Sequence, residues 1–387
     1  MVKLFLIIKF AARRFYMSKY FKHTPAVFAV DKYYQIMMPC EKSCFFFVKV
    51  GDKFYYDESN GIMCSRNKIH KVEVPAVELD KAKEYTVCIR PIIVRKAYFS
   101  KTKKVIEKTY KFYPIPENNI RAYHIADAHN NVEEPIKAAE TFGNIDFLIL
   151  NGDVIEDSSS PLNFMNIYVI GSRLTKGEKP IIFSRGNHDL RGNFAEKFAD
   201  YTPAYLGNTY YSFRLGNIWG ILLDCGEDKN DDHAEYGHSV ACHAFRERQS
   251  DFLKKIIENK ENEYEAEGVK HRLVISHNAF VHRYQPPFDI EQEIFTEWSK
   301  LLRENVKPEV MICGHAHELN IYYPENTEWN NNGSICPVVI GSTIEKKKPV
   351  YFAGCGYVFN DENIEIVFTD SNGETLRKEQ LDIRNKF

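Results

Sequence analysis

The sequence predicts an all-β sandwich followed by an α/β domain. Short segments with period-two alternation, separated by turn residues, run from about residue 24 to 113, whereas strand-like and helix-like segments alternate from residue 120 onward. The length of 387 residues exceeds the roughly 100 to 200 residues usual for one domain. We therefore expect an N-terminal arm (1–22), a β-sandwich (23–113), a linker (114–119) and a second domain (120–387).

The arm begins with a short apolar run. This run, at residues 4–8, is interrupted by Lys9 and precedes no small-residue cleavage site, whereas a signal-peptide core needs about 7 to 15 apolar residues. It is also too short to span a membrane. Two interpretations stay open, a loosely held arm or a basic amphipathic segment that touches a membrane surface.

The overall composition excludes partners that are attracted by bulk charge. The chain is 44% hydrophobic and 27% charged, which is ordinary for a globular protein with a sizeable core. Its net charge of −2 provides no general attraction to nucleic acid or anionic lipid. Recognition of any charged ligand must therefore be local.

The chain has nine cysteines, most of them inside apolar segments. Buried thiols in a reducing compartment explain this pattern better than a disulfide framework, so a cytoplasmic location is expected. The spacing Cys40-x-x-x-Cys44 also permits half a zinc site or a local disulfide, but no matching second pair of cysteines follows it.

Seven predicted strands give the first domain the strand count of an immunoglobulin-like sandwich. They cover residues 26–30, 33–38, 44–50, 53–56, 70–74, 85–90 and 105–112. Leu79 and Tyr85 resemble the tyrosine corner of fibronectin type III domains, in which the tyrosine hydroxyl bonds to upstream backbone. Alternatively, Tyr85 is simply one of 23 tyrosines.

The linker is marked by two prolines and two asparagines within residues 113–119. Beyond it, helices are predicted over residues 132–141, 162–174, 244–259 and 291–304. Antiparallel pairing is predicted between 210–215 and 218–224, and between 338–340 and 351–359.

Five hydrophobic strand-like segments of the second domain end in residues that can ligate a metal. The segments end in Asp127-Ala128-His129, Gly152-Asp153, Gly186-Asn187-His188-Asp189, His277 and Gly314-His315-Ala316-His317. Ligands in α/β sheets lie beyond the carboxyl ends of strands, where all five blocks fall. No Walker A or dinucleotide-binding glycine pattern is present.

In order and in residue type, these blocks resemble those of the calcineurin-like metallophosphoesterase superfamily. The resemblance spans residues 121 to about 345, and a match to five ordered blocks is far more specific than a match to one. It implies an α/β fold of two mixed β-sheets packed face to face, with flanking helices.

A fibronectin-like domain in front of such a domain is similar to the arrangement of purple acid phosphatases. Those enzymes have Asp-x-Gly in the first block and a tyrosine ligand three residues after the Gly-Asp aspartate. This sequence has His129 and Glu156 at those positions. The resemblance therefore implies the architecture without the purple iron site.

The family pattern, carried over residue by residue, implies two divalent metal ions. One ion would be bound by Asp127, His129, Asp153 and His317, and the other by Asp153, Asn187, His277 and His315. A bridging carboxylate suits two cations about 3.5 to 4 Å apart that share a hydroxide poised to attack phosphorus. Mixed nitrogen and oxygen ligands suit manganese, iron or zinc.

Three further residues are candidates for catalysis. His188 is not needed to complete either ligand set, so it is expected to act as the general acid, or else only to order water. Glu156 is a candidate partner that orients His188, with a surface carboxylate as the alternative. Arg185 resembles the phosphate-binding arginine of the Ser/Thr phosphatases, although many relatives lack it.

Other histidines carry weaker expectations. His282 is placed to reach phosphate, whereas His124 and His271 are expected to be structural. The segment 226–243 is expected to be a rim loop that shapes the substrate pocket. Its three histidines, at positions 233, 238 and 243, are expected to be solvated because no spacing matches a metal site.

The sequence thus predicts a dinuclear metal-dependent phosphoesterase in which metal-bound hydroxide attacks the phosphate ester. The substrate is expected to be a phosphorylated small molecule or a phosphoprotein. A phosphodiesterase, including one for cyclic nucleotides, and an inactive metal-binding scaffold remain alternatives. The sequence predicts no nucleic-acid binding and no transmembrane segment, and it does not indicate an oligomeric state.

Overall fold

The computed structural model describes residues 20–334 and 336–383, so nearly all of the predicted arm lies outside the described residues. Within these two ranges, no helix is long and apolar enough to cross a bilayer. The strands are β1 (Ala26–Val30), β2 (Tyr33–Pro39), β3 (Cys44–Val50), β4 (Lys53–Tyr56), β5 (Glu58–Ser59), β6 (Ile62–Met63), β7 (Ile69–Pro75), β8 (Glu84–Val94), β9 (Lys101–Thr102), β10 (Ile106–Lys111), β11 (Ile120–Ile125), β12 (Phe147–Asn151), β13 (Pro180–Ser184), β14 (Tyr211–Leu215), β15 (Ile218–Leu222), β16 (His271–Ile275), β17 (Val310–Cys313), β18 (Glu318–Tyr322), β19 (Val338–Glu345), β20 (Tyr351–Phe359), β21 (Asn363–Asp370) and β22 (Thr375–Asp382). The helices are α1 (Ala76–Ala82), α2 (Glu133–Phe142), α3 (Met165–Thr175), α4 (Phe198–Tyr201), α5 (Cys242–Glu258) and α6 (Gln292–Leu301).

Two mixed sheets form the centre of the fold. In the first, β11, β12 and β13 run parallel, and β20 and β21 extend it antiparallel. In the second, β15, β16, β17 and β19 run parallel, and β14 pairs with β15. Strand β19 joins the sheets, since Val338 pairs with β17 and Thr343 pairs with β20.

The two sheets pack against each other through one large core. Ile125 and Leu150 of the first sheet belong to the same buried cluster as Ile275 and Ile312 of the second. A second core lies on the other side of the second sheet, where Trp298 of α6 packs beneath the strands. Both packed faces agree with the two-sheet fold that the resemblance implied.

The predicted helices and strands are found with small shifts at their ends. The four long predicted helices correspond to α2, α3, α5 and α6. The first predicted antiparallel pair corresponds to β14 with β15. The second joins β19 with β20 as predicted, but through residues 343–345, because residues 338–340 pair with β17 and β18. All seven predicted N-terminal strands are present.

The N-terminal strands do not form a sandwich apart from the central sheets. Strand β1 pairs in parallel with β13, and β2 and β7 continue the same sheet. Strands β3, β4, β8 and β10 form a second, separate sheet, and β3 and β4 contact β7. One of the two N-terminal layers is therefore an extension of the first central sheet.

The tyrosine-corner prediction is wrong in its partner. The Tyr85 hydroxyl donates to the carbonyl of Gly177 at 2.6 Å, far downstream, and not to upstream backbone. Gly177 has φ +72°, and a Cβ there would lie 3.0 Å from this hydroxyl. Tyr85 is thus a contact between the N-terminal layers and the loop after α3.

The prediction of buried thiols without a disulfide framework is confirmed, since all nine cysteines are free and eight of them are buried. Neither Cys40 nor Cys44 forms the local disulfide that their spacing permits.

Candidate metal centre

The predicted ligands lie at the carboxyl ends of five strands. Asp127 and His129 follow β11, Asp153 follows β12, and Asn187 follows β13, three parallel neighbours of the first sheet. His277 follows β16, and His315 and His317 follow β17, two parallel neighbours of the second sheet. Parallel strands bring their carboxyl ends to one edge, and the facing sheets bring the two edges together.

One group of donors surrounds Asp127. Its carboxylate oxygen lies 3.4 Å from Nε2 of His317, and that nitrogen lies 3.3 Å from Nε2 of His129. The donor atoms of these three residues all lie within 4.8 Å of one another. Asp127 is fully buried, and the main-chain N–H of His315 donates to it at 3.1 Å.

A second group surrounds Asp153. Nε2 of His277 lies 3.2 Å from the Asp153 carboxylate and 3.7 Å from that of Asp127. Nδ1 of His277 donates to the carbonyl of Asn151 at 2.7 Å, which turns Nε2 toward the carboxylates. Next to this group, Nδ1 of His315 lies 3.1 Å from the amide oxygen of Asn187. Donor atoms of Asp153 and His129 also lie within 4.8 Å of each other. Asp153 is therefore close to both groups, as a bridging ligand would be.

Two glycines allow the loops to approach this closely. A Cβ on Gly152, which has φ +77°, would lie 2.6 Å from Cα of Gly186. A Cβ on Gly186 would lie 2.2 Å from a carboxylate oxygen of Asp153. Five of the predicted ligands also adopt a positive φ, namely Asp127, His129, Asp153, His315 and His317. Strained backbone of this kind is concentrated at functional sites.

The charges at the centre suit bound cations. Asp127 and Asp153 are both buried, and burial alone would disfavour two neighbouring carboxylates. Burial also lowers the pKa of His277, but Asp153 and Asp127 outweigh it and raise that pKa to about 10. A positive charge among these oxygens is therefore strongly favoured. Imidazole, carboxylate and amide donors fit manganese, iron or zinc.

Two other histidines of the centre stay neutral. Burial lowers the pKa of His129 and of His315 to about 4 in each case. A neutral imidazole is the form that ligates a metal ion. The residues present therefore fit the two ions that the sequence implied.

His188 lies at the edge of the ligand cluster. Its main-chain N–H donates to Asp153 at 2.9 Å, and its ring packs edge-on to His129 with centroids 4.7 Å apart. Nδ1 of His188 donates to the main-chain carbonyl of Glu156 at 2.9 Å. Its side-chain nitrogens lie close enough to donors of His129 and Asp153 to form a further metal-binding group.

Glu156 contacts His188 through its backbone and not through its carboxylate. The carboxylate accepts from Nζ of Lys346 at 2.7 Å and lies 3.2 Å from Nδ1 of His129. Lys346, in the turn between β19 and β20, had no sequence signal because it follows no ligand block.

Two arginines approach the centre differently. Nε of Arg185 donates to the buried carboxylate of Asp224 at 2.7 Å, and its guanidinium lies over the ring of Phe245. Arg191 forms a two-pronged ion pair with Glu227, and its Nη1 lies 3.4 Å from Nε2 of His188. Sequence reasoning missed Arg191, although its position three residues after His188 was an available signal.

The other histidines singled out in the sequence, at positions 124, 233, 238, 243, 271 and 282, lie outside the metal-ligand groups that the described residues form. His243 pairs with Glu291 at 3.0 Å on the surface, and His233 accepts from the N–H of Glu235. His282 stacks on Trp329 and donates to its carbonyl at 2.6 Å. His124 and His271 are buried, and His271 pairs with Glu309.

Comparison with known proteins identifies the family. The family model of calcineurin-like phosphoesterases matches residues 120–319, more than half of the chain. No curated protein sequence matches the chain.

Among solved structures, the chain is similar to purple acid phosphatase PPD1 from seeds of yellow lupin (Lupinus luteus). The TM-score is 0.56 at 12% identity, over 92% of this chain and 74% of that one. Two bacterial proteins also match at 12% identity over 68% of this chain. One, from Streptococcus pneumoniae, is covered to 98% with a TM-score of 0.31, and the other, from Thermus thermophilus, is covered to 99% with a TM-score of 0.37. The lupin enzyme supports the fold alone, and the family match supports the family: the chain belongs to the calcineurin-like phosphoesterases.

Proposed function

We propose that the chain hydrolyses phosphate esters with two divalent metal ions. The proposed ligands are Asp127, His129, Asp153 and His317 for one ion, and Asp153, Asn187, His277 and His315 for the other. The observation that carries this proposal is the convergence of all seven side chains from five strand ends. When bound, the ions supply the positive charge that activates water and stabilises charge on the phosphate.

The chain's own residues hold the geometry for this reaction. Asp153 contributes to both ligand sets, so it fixes the distance between them. The Asn151 carbonyl fixes the tautomer of His277, and the main-chain N–H of His315 holds the carboxylate of Asp127. These contacts leave the ligating atoms pre-oriented before substrate binds.

His188 is the proposed general acid. Because Nδ1 donates to the Glu156 carbonyl, Nε2 is the nitrogen that would carry a proton to the leaving oxygen. Nη1 of Arg191 lies 3.4 Å from this nitrogen. Glu156 is the proposed positioning residue for His188.

Arg191 and Lys346 are further candidates for phosphate binding. Both lie one contact away from the ligand cluster, through His188 and through Glu156 respectively. Arg185, the arginine chosen from sequence, would contact phosphate only with its terminal nitrogens, because its Nε donates to Asp224. Arg191 would likewise contact phosphate with Nη1, because its Nε and Nη2 donate to Glu227.

The substrate is proposed to be a phosphomonoester of a small molecule or of a phosphoprotein. A diesterase, including one for cyclic nucleotides, and an inactive scaffold are the rival functions, and the complete ligand set favours an enzyme over a scaffold. Assays with added Mn²⁺ on an aryl phosphomonoester, an aryl phosphodiester and cyclic nucleotides separate these functions. Turnover of none of them by metal-loaded protein would favour the scaffold.

We also infer that residues 23–113 form a fibronectin type III-like unit joined by the linker 114–119 to a catalytic domain at 120–387. The separate sheet of β3, β4, β8 and β10 supports this inference, whereas β1, β2 and β7 belong to the sheet that includes β13. The nine free thiols support a reducing compartment, and hence the cytoplasm.

A further inference from the structure

A second group of metal-binding side chains lies in the N-terminal layers, among residues that the phosphoesterase centre does not use. Cys40 follows β2, Cys44 begins β3, and His70 lies in β7. All three are buried, and their two sulfurs and one ring nitrogen lie within 4.8 Å of one another. Sγ of Cys44 lies 3.5 Å from Nε2 of His70.

The imidazole of His70 is held in one orientation by its neighbours. Nδ1 donates to the buried carboxylate of Asp57 at 2.5 Å. The ring also stacks on Phe46, with centroids 5.3 Å apart and planes at 12°. A carboxylate on one ring nitrogen is the usual arrangement for a histidine that ligates zinc through the other. Nε2 of His70 therefore faces the two sulfurs as a ligand would.

We propose that Cys40, Cys44 and His70 bind a zinc ion that is separate from the phosphoesterase centre. Thiolate sulfur and imidazole nitrogen are the preferred donors of zinc.

The ion would join two layers of strands. Cys44 belongs to the sheet of β3, β4, β8 and β10, whereas His70 belongs to the large sheet that continues into the centre of the fold. A metal ion bound to both layers stabilises the folded state, because the unfolded chain holds no such site. We infer a structural role for this zinc.

Cobalt spectroscopy tests the proposal on the unmodified full chain. Thiolate bound to Co²⁺ absorbs in the near ultraviolet, and no cysteine is among the proposed ligands of the phosphoesterase centre. We expect reconstitution of the metal-free chain with Co²⁺ to produce this absorption, and added Zn²⁺ to remove it. Elemental analysis of the protein as purified should show one zinc that Cys44→Ser and His70→Ala both lose.

Cys88→Ser is the matched control. Cys88 is a buried thiol on β8, a neighbour of β3 in the same sheet, and its sulfur contacts the Thr86 carbonyl and Glu107. We expect this variant to keep the cobalt absorption and the zinc. The proposal is overturned if the unmodified chain shows no thiolate–cobalt absorption, if Cys44→Ser keeps that absorption, or if peptide mapping finds a Cys40–Cys44 disulfide in the protein as purified.

Discussion

Replacement of His188 by alanine separates a general acid from a metal ligand. The imidazole contacts the Glu156 carbonyl through Nδ1, so its removal costs one partly exposed hydrogen bond, about 0.5–1.5 kcal/mol of folding free energy. Loss of general acid catalysis is far larger, about 10² to 10⁴ in rate, or about 3 to 5 kcal/mol. We therefore expect a folded protein with a specific catalytic defect.

The assay compares two esters at fixed metal concentration. An alkyl phosphate with a high-pKa leaving group should lose about 10² to 10⁴ in kcat/KM, whereas an activated aryl phosphate, which departs without a proton, should lose much less. Metal content should hardly change. His188→Asn is the control, because its amide can still donate to the Glu156 carbonyl yet carries no titratable nitrogen. Equal losses on both esters with full metal occupancy would refute the acid role, and loss of metal would identify His188 as a ligand.

Three other changes test separate parts of the structure. Asp153→Asn should lower kcat/KM more than any other ligand change, and by more than the roughly 10- to 100-fold loss typical of residues that only orient a ligand. A larger loss of kcat/KM in His129→Ala would contradict the bridging assignment. Arg191→Gln should raise KM for a phosphomonoester by about tenfold or more, since a charge-assisted hydrogen bond contributes about 1.5–3 kcal/mol. Arg191→Lys should raise KM less. An unchanged KM in Arg191→Gln would show that Arg191 does not bind phosphate. Tyr85→Phe should lower the free energy of unfolding by about 1–3 kcal/mol in denaturant titration, because the buried Gly177 carbonyl loses its hydrogen-bond donor. A smaller loss would mean that water replaces the hydroxyl.

The candidate ligands could be predicted from the sequence because each ligand block directly follows its strand. Each block follows an apolar run directly, so the position of Asp153 relative to β12 is fixed by a few residues. Parallel pairing then brings the blocks to one edge without any further information in the side chains. The family resemblance supplied what spacing cannot, namely which ligands share an ion.

Contacts between segments that are distant in the sequence could not be predicted. The parallel pairing of β1 with β13 joins strands about 150 residues apart in the chain, and no local pattern specifies it. The partner of Tyr85 was missed for the same reason, since Gly177 lies 92 residues further along the chain.

The cysteine pair shows the same limit. The spacing of Cys40 and Cys44 permitted half a zinc site or a local disulfide, and plain thiols were favoured. The proposed third donor, His70, comes from β7 and becomes a neighbour only through the pairing of β7 with β2. A search of the sequence for a second cysteine pair could not identify His70.

Hydrolysis of an aryl phosphomonoester by demonstrably metal-free protein, followed by titration with Mn²⁺, tests the central claim most directly. Manganese prefers nitrogen and oxygen donors over thiolates, so it reports on the phosphoesterase centre. The account predicts no turnover above buffer without metal, and activity that saturates at two equivalents of Mn²⁺ per chain. Full turnover in the metal-free protein, or saturation at one equivalent, would contradict it.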